Sequence, residues 1–173
     1  MYAHLRLLLL LIVAGLVGCT PASENHTTGS APSQEKIVAE EKPKLPNFEI
    51  TNLDGKSFAI AQLPKNKPTV ILFFHPDCEH CQAEATELQK HTDKFSEANF
   101  LMITWDDLST IRAFMDKYQL HAPITAYQIS NNTLAQTYGT IRLPTVYIYN
   151  TDQELIQQFN GEAKAEAILS YLK

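Results

Sequence analysis

Several features that define other classes of protein are absent from this sequence of 173 residues. Three cysteines are too few for a small domain that is held together by disulfide bonds. No apolar run reaches the roughly 20 residues of an ordinary membrane-spanning helix. The net charge of −5, without a run of basic residues, argues against nucleic acid as a partner. Neither a glycine-rich dinucleotide motif nor a P-loop is present, so we expect no bound cofactor.

The N-terminus has the pattern of an exported protein. Arg6 precedes an apolar run at residues 7–17, which is too short to span a bilayer. The run ends in Leu-Val-Gly-Cys and resembles the bacterial lipobox, in which the signal is cleaved before a cysteine that receives a lipid. We therefore predict a signal peptide over residues 1–18 and a lipid on Cys19. This lipid would anchor the protein to a membrane of the bacterial cell envelope, facing the periplasm. An ordinary secretory signal with a chance cysteine is the alternative.

Residues 19–44 separate the signal from the part of the chain that we expect to fold. They are rich in Ser, Thr, Pro, Glu and Lys and poor in large apolar side chains. Such a segment cannot bury enough surface to offset the entropy that ordering costs. We interpret it as the lipidated cysteine followed by a flexible tether. The remainder, residues 45–173, has the size of one domain.

Strand and helix patterns alternate along residues 45–173. Asp54-Gly55 indicates a hairpin turn, and the apolar run TVILFF at 69–74 is typical of a strand buried on both faces. The predicted strands lie at 48–50, 57–60, 69–74, 99–104, 124–129, 145–149 and 154–159. The predicted helices lie at 78–95, 108–118, 130–138 and 162–172. This alternation predicts an α/β fold, in which a mainly parallel sheet carries helices on both faces and ends in an antiparallel hairpin.

The residues that carry chemistry are Cys78 and Cys81, which follow a buried strand and open a helix. Free backbone N–H groups at the start of a helix favour a thiolate, the form of cysteine that attacks disulfides. A second thiol three residues later can close an internal disulfide and release a bound partner. We therefore predict Cys78 as the nucleophile and Cys81 as the resolving thiol, with their disulfide as the redox-active group.

Two structural roles for this pair are less favourable. A structural disulfide between Cys78 and Cys81 would close a very small loop and remove little entropy from the unfolded chain. A zinc site would need two further ligands, and the sequence contains no second Cys-x-x-Cys pair. We therefore predict no metal site.

At this point the sequence resembles a known family. Residues 73–84, FFHPDCEHCQAE, resemble the active-site segment of TlpA/ResA-like thiol–disulfide oxidoreductases of the thioredoxin superfamily. The resemblance covers residues 45–173 and implies a thioredoxin-like fold, with a central mixed sheet, an N-terminal β-hairpin and an inserted strand–helix unit near 111–129. It implies an enzyme that reduces disulfides of envelope proteins, with apocytochrome c as the substrate that the family suggests. A membrane redox partner would then reduce it again.

The resemblance also implies roles for residues outside the cysteine pair. Leu143-Pro144 resembles the family's cis-proline loop, which presents backbone to the substrate. Glu84 lies at the offset where ResA-like reductases carry a functional glutamate. That role is a partly buried carboxylate that exchanges a proton with the resolving thiol and disfavours a thiolate nearby. A solvated glutamate in the first helical turn is the alternative.

Charged residues next to the cysteines act on the redox balance in opposite directions. A positive imidazolium at His80 would stabilise the Cys78 thiolate and make the protein oxidising, as in periplasmic disulfide-forming enzymes. The carboxylates of Asp77 and Glu79 would counteract it. We favour a reductase, and a disulfide-forming oxidant is the alternative.

Two further functions use the same cysteines. Peroxiredoxins place a Pro and a Thr or Ser before the reactive cysteine, where this chain has Ile71 and His75, so we rank a peroxidase low. A metallochaperone could hold Cu(I) through Cys78, Cys81 and either His75 or His80, because copper(I) prefers soft thiolate ligands. This binding module is the alternative from a different class.

Overall fold

The structure is a computed structural model that describes residues 41–172. The predicted signal peptide and the predicted lipid on Cys19 lie outside these residues. Near the predicted end of the tether, the N–H of Leu155 donates to the carbonyl of Pro43 at 2.7 Å. Lys44 forms an ion pair with Glu154 at 3.0 Å. Contacts of the folded domain therefore begin shortly before the predicted boundary at residue 45.

Seven strands form one mixed sheet in the order β2-β1-β5-β4-β3-β6-β7. The strands are β1 (Glu49–Asn52), β2 (Ser57–Ala59), β3 (Thr69–Phe73), β4 (Asn99–Thr104), β5 (Ile124–Gln128), β6 (Thr145–Tyr149) and β7 (Leu155–Asn160). Strands β3, β4 and β5 are parallel to one another, and every other pairing is antiparallel. The predicted mixed sheet is thus confirmed. The mainly parallel sheet that the strand–helix alternation predicted is wrong, because only the β3–β4 and β4–β5 pairings are parallel. The N-terminal hairpin is formed by β1 and β2.

Four α-helices cover the sheet. They are α1 (Glu79–Gln89), α2 (Leu108–Lys117), α3 (Asn131–Tyr138) and α4 (Ala165–Leu169). Short 3-10 turns occur at Ile60–Gln62 and Thr92–Phe95. None of the helices within residues 41–172 has the length and apolar character that crossing a membrane requires.

Alternating side chains of β3 supply both halves of the core. Leu72 points to the face that packs against α1, α2 and α4, where Leu88, Phe114 and Ile168 are buried. Phe73 points to the opposite face and packs with residues of the N-terminal hairpin and α3. Every residue of β3 is buried, as the continuous apolar run predicted. The strand that leads to Cys78 is therefore held on both sides.

Two helices are shorter than the sequence predicted. Helix α1 ends at Gln89 rather than near residue 95, and the hydroxyl of Thr92 donates to the carbonyls of Leu88 and Gln89 at 3.3 and 3.1 Å. The helix stops because His91 leaves the helical region, with a φ of −125°, and the chain continues as the 3-10 turn at Thr92–Phe95. The predicted helix at 162–172 is also wrong in its extent, because α4 begins only at Ala165. Residues 161–163 form a loop whose groups contact the site described below.

The other two helices agree with the predicted bounds to within one residue, and polar side chains cap them. The carboxylate of Asp107 accepts from the N–H groups of Ser109 and Thr110, which caps the start of α2. Ser130 caps α3 by accepting from the N–H of Thr133. Gly139 ends α3 with a φ of 67°, a conformation that glycine adopts without a steric penalty.

Candidate active site

The two cysteines lie where β3 passes into α1. Cys78 is the N-cap of α1, and its sulfur accepts from the N–H of Cys81 at 3.4 Å. Cys78 is half-buried, whereas Cys81 is 2% exposed, and both are free thiols. A backbone N–H directed at the Cys78 sulfur stabilises negative charge there. The accessible sulfur is thus the one that the sequence predicted as the nucleophile.

Cys81 is held in its protonated form. Burial raises the pKa of the Cys81 thiol far above its ordinary value, and the interaction with Cys78 adds to the increase. A hydrogen bond with the backbone of His75 opposes the increase, and the charge of Glu84 makes a smaller contribution to it. Cys81 must therefore give up a proton before its sulfur can attack Cys78.

Glu84 is buried behind the cysteines, with 2% of its surface exposed. Its Oε1 atom accepts from the N–H of Ala163 at 3.3 Å. Its Oε2 atom is the only buried side-chain nitrogen or oxygen within residues 41–172 without a hydrogen-bond partner. Burial raises the pKa of Glu84 to about 8, with a contribution from the charge of Glu162, against the opposing effect of the Ala163 hydrogen bond. The alternative of a solvated glutamate is wrong.

The predicted proline loop faces the cysteine pair. The Leu143–Pro144 peptide bond is cis, and the carbonyl oxygen of Leu143 lies 3.9 Å from the Cys78 sulfur. The carbonyl of Pro144 accepts from the N–H of Gly161 at 2.8 Å, which ties the loop to the residues that follow β7. A second cis bond, Ala122–Pro123, precedes β5, and the sequence did not predict it.

His80 and Glu79 lie on the outer side of the first turn of α1. The Nδ1 atom of His80 is 2.5 Å from Oε1 of Glu162, and their side chains are 75% and 47% exposed. Glu79 is the first residue of α1 and is exposed, so its carboxylate adds negative charge next to Cys78. A carboxylate from another element therefore lies directly against the imidazole of His80.

The other histidine considered as a copper ligand has local partners. Nδ1 of His75 accepts from the N–H of Asp77 at 3.2 Å, and its Nε2 lies 3.6 Å from a carboxylate oxygen of Asp106. In the part of the chain that the structure describes, Glu87, His91 and Glu166 form the only group of three side chains close enough to share a metal ion. That group contains no cysteine.

Sequence analysis did not identify residues 161–163 as part of the candidate active site. Gly161, Glu162 and Ala163 contact Pro144, His80 and Glu84 in turn. Glu162 lies 82 positions from its partner His80, so no local pattern could connect them.

A thioredoxin-like sheet with a Cys-x-x-Cys pair at the start of a helix and a cis-proline opposite defines a class of thiol–disulfide oxidoreductases. Two chemical features fit that class here, an accessible thiol at Cys78 and a buried thiol at Cys81. The chain belongs to the AhpC/TSA family, whose profile matches residues 42–158.

Characterised relatives agree with this assignment. The thiol-disulfide oxidoreductase ResA of Bacillus thuringiensis subsp. konkukian (strain 97-27) is 29% identical over 171 residues, which are 97% of this chain and 93% of the relative. A secreted Mycobacterium tuberculosis disulfide oxidoreductase, homologous to E. coli DsbE, is 28% identical with a TM-score of 0.58, over 68% of this chain and 86% of that one. StoA from Bacillus subtilis is 19% identical with a TM-score of 0.61, over 76% of this chain and 100% of that one. The predicted resemblance and the predicted enzyme class, a thiol–disulfide oxidoreductase, are confirmed.

Proposed function

We propose that this protein reduces disulfides of substrate proteins in the bacterial cell envelope, with Cys78 as the nucleophile and Cys81 as the resolving thiol. The observation that carries the proposal is the difference between the two sulfurs. Cys78 is accessible at the start of α1, with the N–H of Cys81 at 3.4 Å, and Cys81 is buried. A substrate can reach the first sulfur, and the second is protected until it is needed.

The reaction transfers two electrons and two protons to the substrate. The Cys78 thiolate attacks one sulfur of the substrate disulfide, which breaks that bond, forms a mixed disulfide and releases the other sulfur as a thiolate that takes up a proton. The Cys81 sulfur then loses its proton and attacks the Cys78 sulfur. The second substrate sulfur leaves and is protonated, and the enzyme ends with a disulfide between Cys78 and Cys81.

Glu84 is proposed to accept the proton of Cys81. A general base works best when its pKa lies near the operating pH, and burial raises the pKa of Glu84 to about 8. The unpaired Oε2 atom leaves one oxygen of this carboxylate able to take a proton. The charge of Glu84 raises the pKa of Cys81, although by less than burial does, and this supports an interaction between the two groups.

The loop at Leu143 and Pro144 is proposed to bind the substrate. The carbonyl of Leu143 lies 3.9 Å from the Cys78 sulfur, so an extended peptide whose cysteine reaches Cys78 would pass beside this backbone. Main-chain hydrogen bonds to such a peptide do not depend on its side chains. This mode of binding suits an enzyme that acts on several unfolded proteins, with apocytochrome c as one candidate.

The location and the recycling partner are proposed from the N-terminal sequence. The apolar run at 7–17 and the lipobox-like ending at Cys19 support export and a lipid anchor on a membrane, facing the periplasm. The chain has no cofactor motif that could supply electrons. A membrane redox protein is therefore proposed to reduce the Cys78–Cys81 disulfide after each turnover.

The roles of the cysteines can be tested with single serine variants of the purified chain. The reduced protein is mixed with an unfolded protein that carries one disulfide, and the thiols released are counted. Cys78→Ser should abolish turnover, whereas Cys81→Ser should accumulate a mixed disulfide with the substrate that mass spectrometry detects. Cys19→Ser is the matched control, since it removes the third thiol outside the site, and it should retain full turnover.

Two results would overturn the proposal. Turnover that persists in Cys78→Ser would exclude Cys78 as the nucleophile. Stoichiometric, high-affinity binding of Cu(I) without any disulfide reduction would identify a copper-binding module instead.

A further inference from the structure

The loop between β7 and α4 contacts three parts of the active site through three successive residues. The N–H of Gly161 donates to the carbonyl of Pro144 at 2.8 Å, on the proposed substrate loop. The carboxylate of Glu162 lies 2.5 Å from Nδ1 of His80, on the turn between the cysteines. The N–H of Ala163 donates to Glu84 at 3.3 Å. Glu162 is the only one of the three whose side chain makes the contact.

A positive charge on His80, two residues after Cys78, would act on the redox balance. A thiolate exists only in the reduced protein, so positive charge next to Cys78 stabilises the reduced form and makes the disulfide more oxidising. A carboxylate 2.5 Å from the imidazole adds one negative charge at the same place. As long as the protonation state of the imidazole stays the same, replacing that carboxylate by a neutral group makes the site more positive by one charge. The direction of the effect is then the same for a neutral and for a charged His80.

We propose that Glu162 is a positioning residue that keeps the Cys78–Cys81 pair reducing, because its carboxylate adds negative charge against His80 and holds residues 161–163 against the site. This inference rests on the proposed dithiol function. It adds a residue that helps to decide whether the cysteine pair reduces or oxidises its substrates. Asp77 and Glu79, which precede His80 along the chain, also carry negative charge and remain in place when Glu162 is changed. Glu162 differs from them because it comes from a separate element and contacts His80 directly.

The test is the thiol–disulfide equilibrium of Glu162→Gln with glutathione, measured on the full chain at pH 7. Cys19→Ser is present in every protein, so that Cys78 and Cys81 are the only thiols. Glutamine can still hydrogen-bond to His80, which preserves the loop and removes only the charge. Exposed ion pairs typically change an equilibrium constant by a few-fold. We therefore expect the equilibrium constant with glutathione to shift about threefold toward the reduced form, which corresponds to about 14 mV.

Two controls separate this effect from a general change in charge. Glu166→Gln removes the same charge from an exposed residue of α4, which lies 3.2 Å from His91 rather than near the cysteines, and it should leave the equilibrium unchanged. In a His80→Ala background, Glu162→Gln should have a smaller effect, because the contact with His80 is absent and only the longer-range charge of Glu162 is removed.

Two outcomes contradict the inference while the proposed function stands. One is an unchanged equilibrium in Glu162→Gln, and the other is a shift of equal size in the His80→Ala background. A reference protein with Glu162 intact that never forms the Cys78–Cys81 disulfide would instead defeat the proposed function, and this inference with it.

Discussion

At the scale of single residues, the environment of Glu84 makes the stability of the folded protein depend on pH. Its pKa is about 8 in the folded protein, because burial disfavours the charged form, against an ordinary value of 4.5. The folded protein therefore binds more protons than the unfolded chain between about pH 4.5 and pH 8. By linkage, the free energy of unfolding falls as the pH rises through that range.

Glu84→Gln should remove most of this pH dependence. Glutamine is close in shape, its carbonyl can accept from the N–H of Ala163, and it cannot ionise. Near pH 5 the variant should be about as stable as the native protein, and near pH 9 it should be more stable by up to about 5 kcal/mol, from the shift between 4.5 and about 8. Urea unfolding of the reduced proteins across this pH range measures the difference.

The exposed Glu97 provides the control for this prediction. Glu97→Gln removes a carboxylate without changing a buried group, so its unfolding curve should follow the native one at each pH. Parallel pH profiles for the native protein and Glu84→Gln would show that Glu84 ionises as freely as an exposed carboxyl, contrary to its burial.

The same variant should slow the resolution of the mixed disulfide. General bases typically contribute factors of about 100 or more, so Glu84→Gln should lower the rate of attack by Cys81 by roughly 100-fold. In the native protein this rate should rise with pH up to about 8, since only the ionised Glu84 accepts a proton. Stopped-flow mixing of a preformed mixed disulfide measures the step.

Glu87, three residues further along α1, provides the matched control for this kinetic prediction. Its carboxylate pairs with Lys90 on the outside of the helix. Glu87→Gln should therefore resolve the mixed disulfide at the native rate. If Glu84→Gln also resolves it at the native rate, Glu84 is not the base.

At the scale of secondary-structure elements, the short loop before α4 organises the site. Gly161 has a φ of 111°, which side-chain-bearing residues rarely adopt, and an added Cβ would meet no atom within 4 Å. A substitution at Gly161 would therefore destabilise the protein because of backbone strain, and not because of a steric clash of its side chain. The turn of the chain at Gly161 directs the next two residues toward His80 and Glu84.

Gly161→Ala should destabilise the protein by about 1–3 kcal/mol and also weaken the contacts of the loop with the site. Its thermal unfolding and its equilibrium with glutathione should both change. Gly55→Ala is the matched control, because Gly55 also has a positive φ of 79° and open space at its Cβ but lies in the hairpin turn between β1 and β2. It should lower stability without altering the redox equilibrium, and an equal redox change in both variants would contradict a specific role for the loop.

Sequence patterns predicted the elements well where the information is local. The apolar run of β3 identified a strand from adjacent residues, and the helices predicted at 108–118 and 130–138 agree with α2 and α3 to within one residue. The other two helices were predicted too long because a periodic pattern does not register the non-helical backbone of His91 or the loop amide of Ala163 that bonds to the distant Glu84.

At the scale of the whole molecule, the sheet brings the reactive groups to one edge. Strands β3 and β4 are parallel, so the residues that follow them, among them Cys78, His75 and Asp106, lie at the same end of the sheet. Ligands of open α/β sheets commonly bind at the carboxyl ends of the strands. The candidate active site therefore lies at the end of the sheet where ligands of such folds commonly bind.

The same scale explains which site residues sequence reasoning could find. Cys78, Cys81, Glu84 and Pro144 belong to short motifs whose spacing is visible in the chain. Glu162 belongs to no such motif, and its importance arises only when the loop after β7 closes against α1. The hydrogen bond of Glu84 likewise comes from a residue distant in sequence, Ala163.

The reduction potential of the Cys78–Cys81 pair tests the proposed direction of the enzyme most directly. It is measured by equilibrating the purified chain, carrying Cys19→Ser, in redox buffers and counting the free thiols. With the carboxylate of Glu162 against His80 and with acidic neighbours at the first turn of α1, we expect a value near that of thioredoxin, about −270 mV or lower. A value near about −120 mV, as in strong periplasmic oxidants, would contradict the account and identify a protein that forms disulfides.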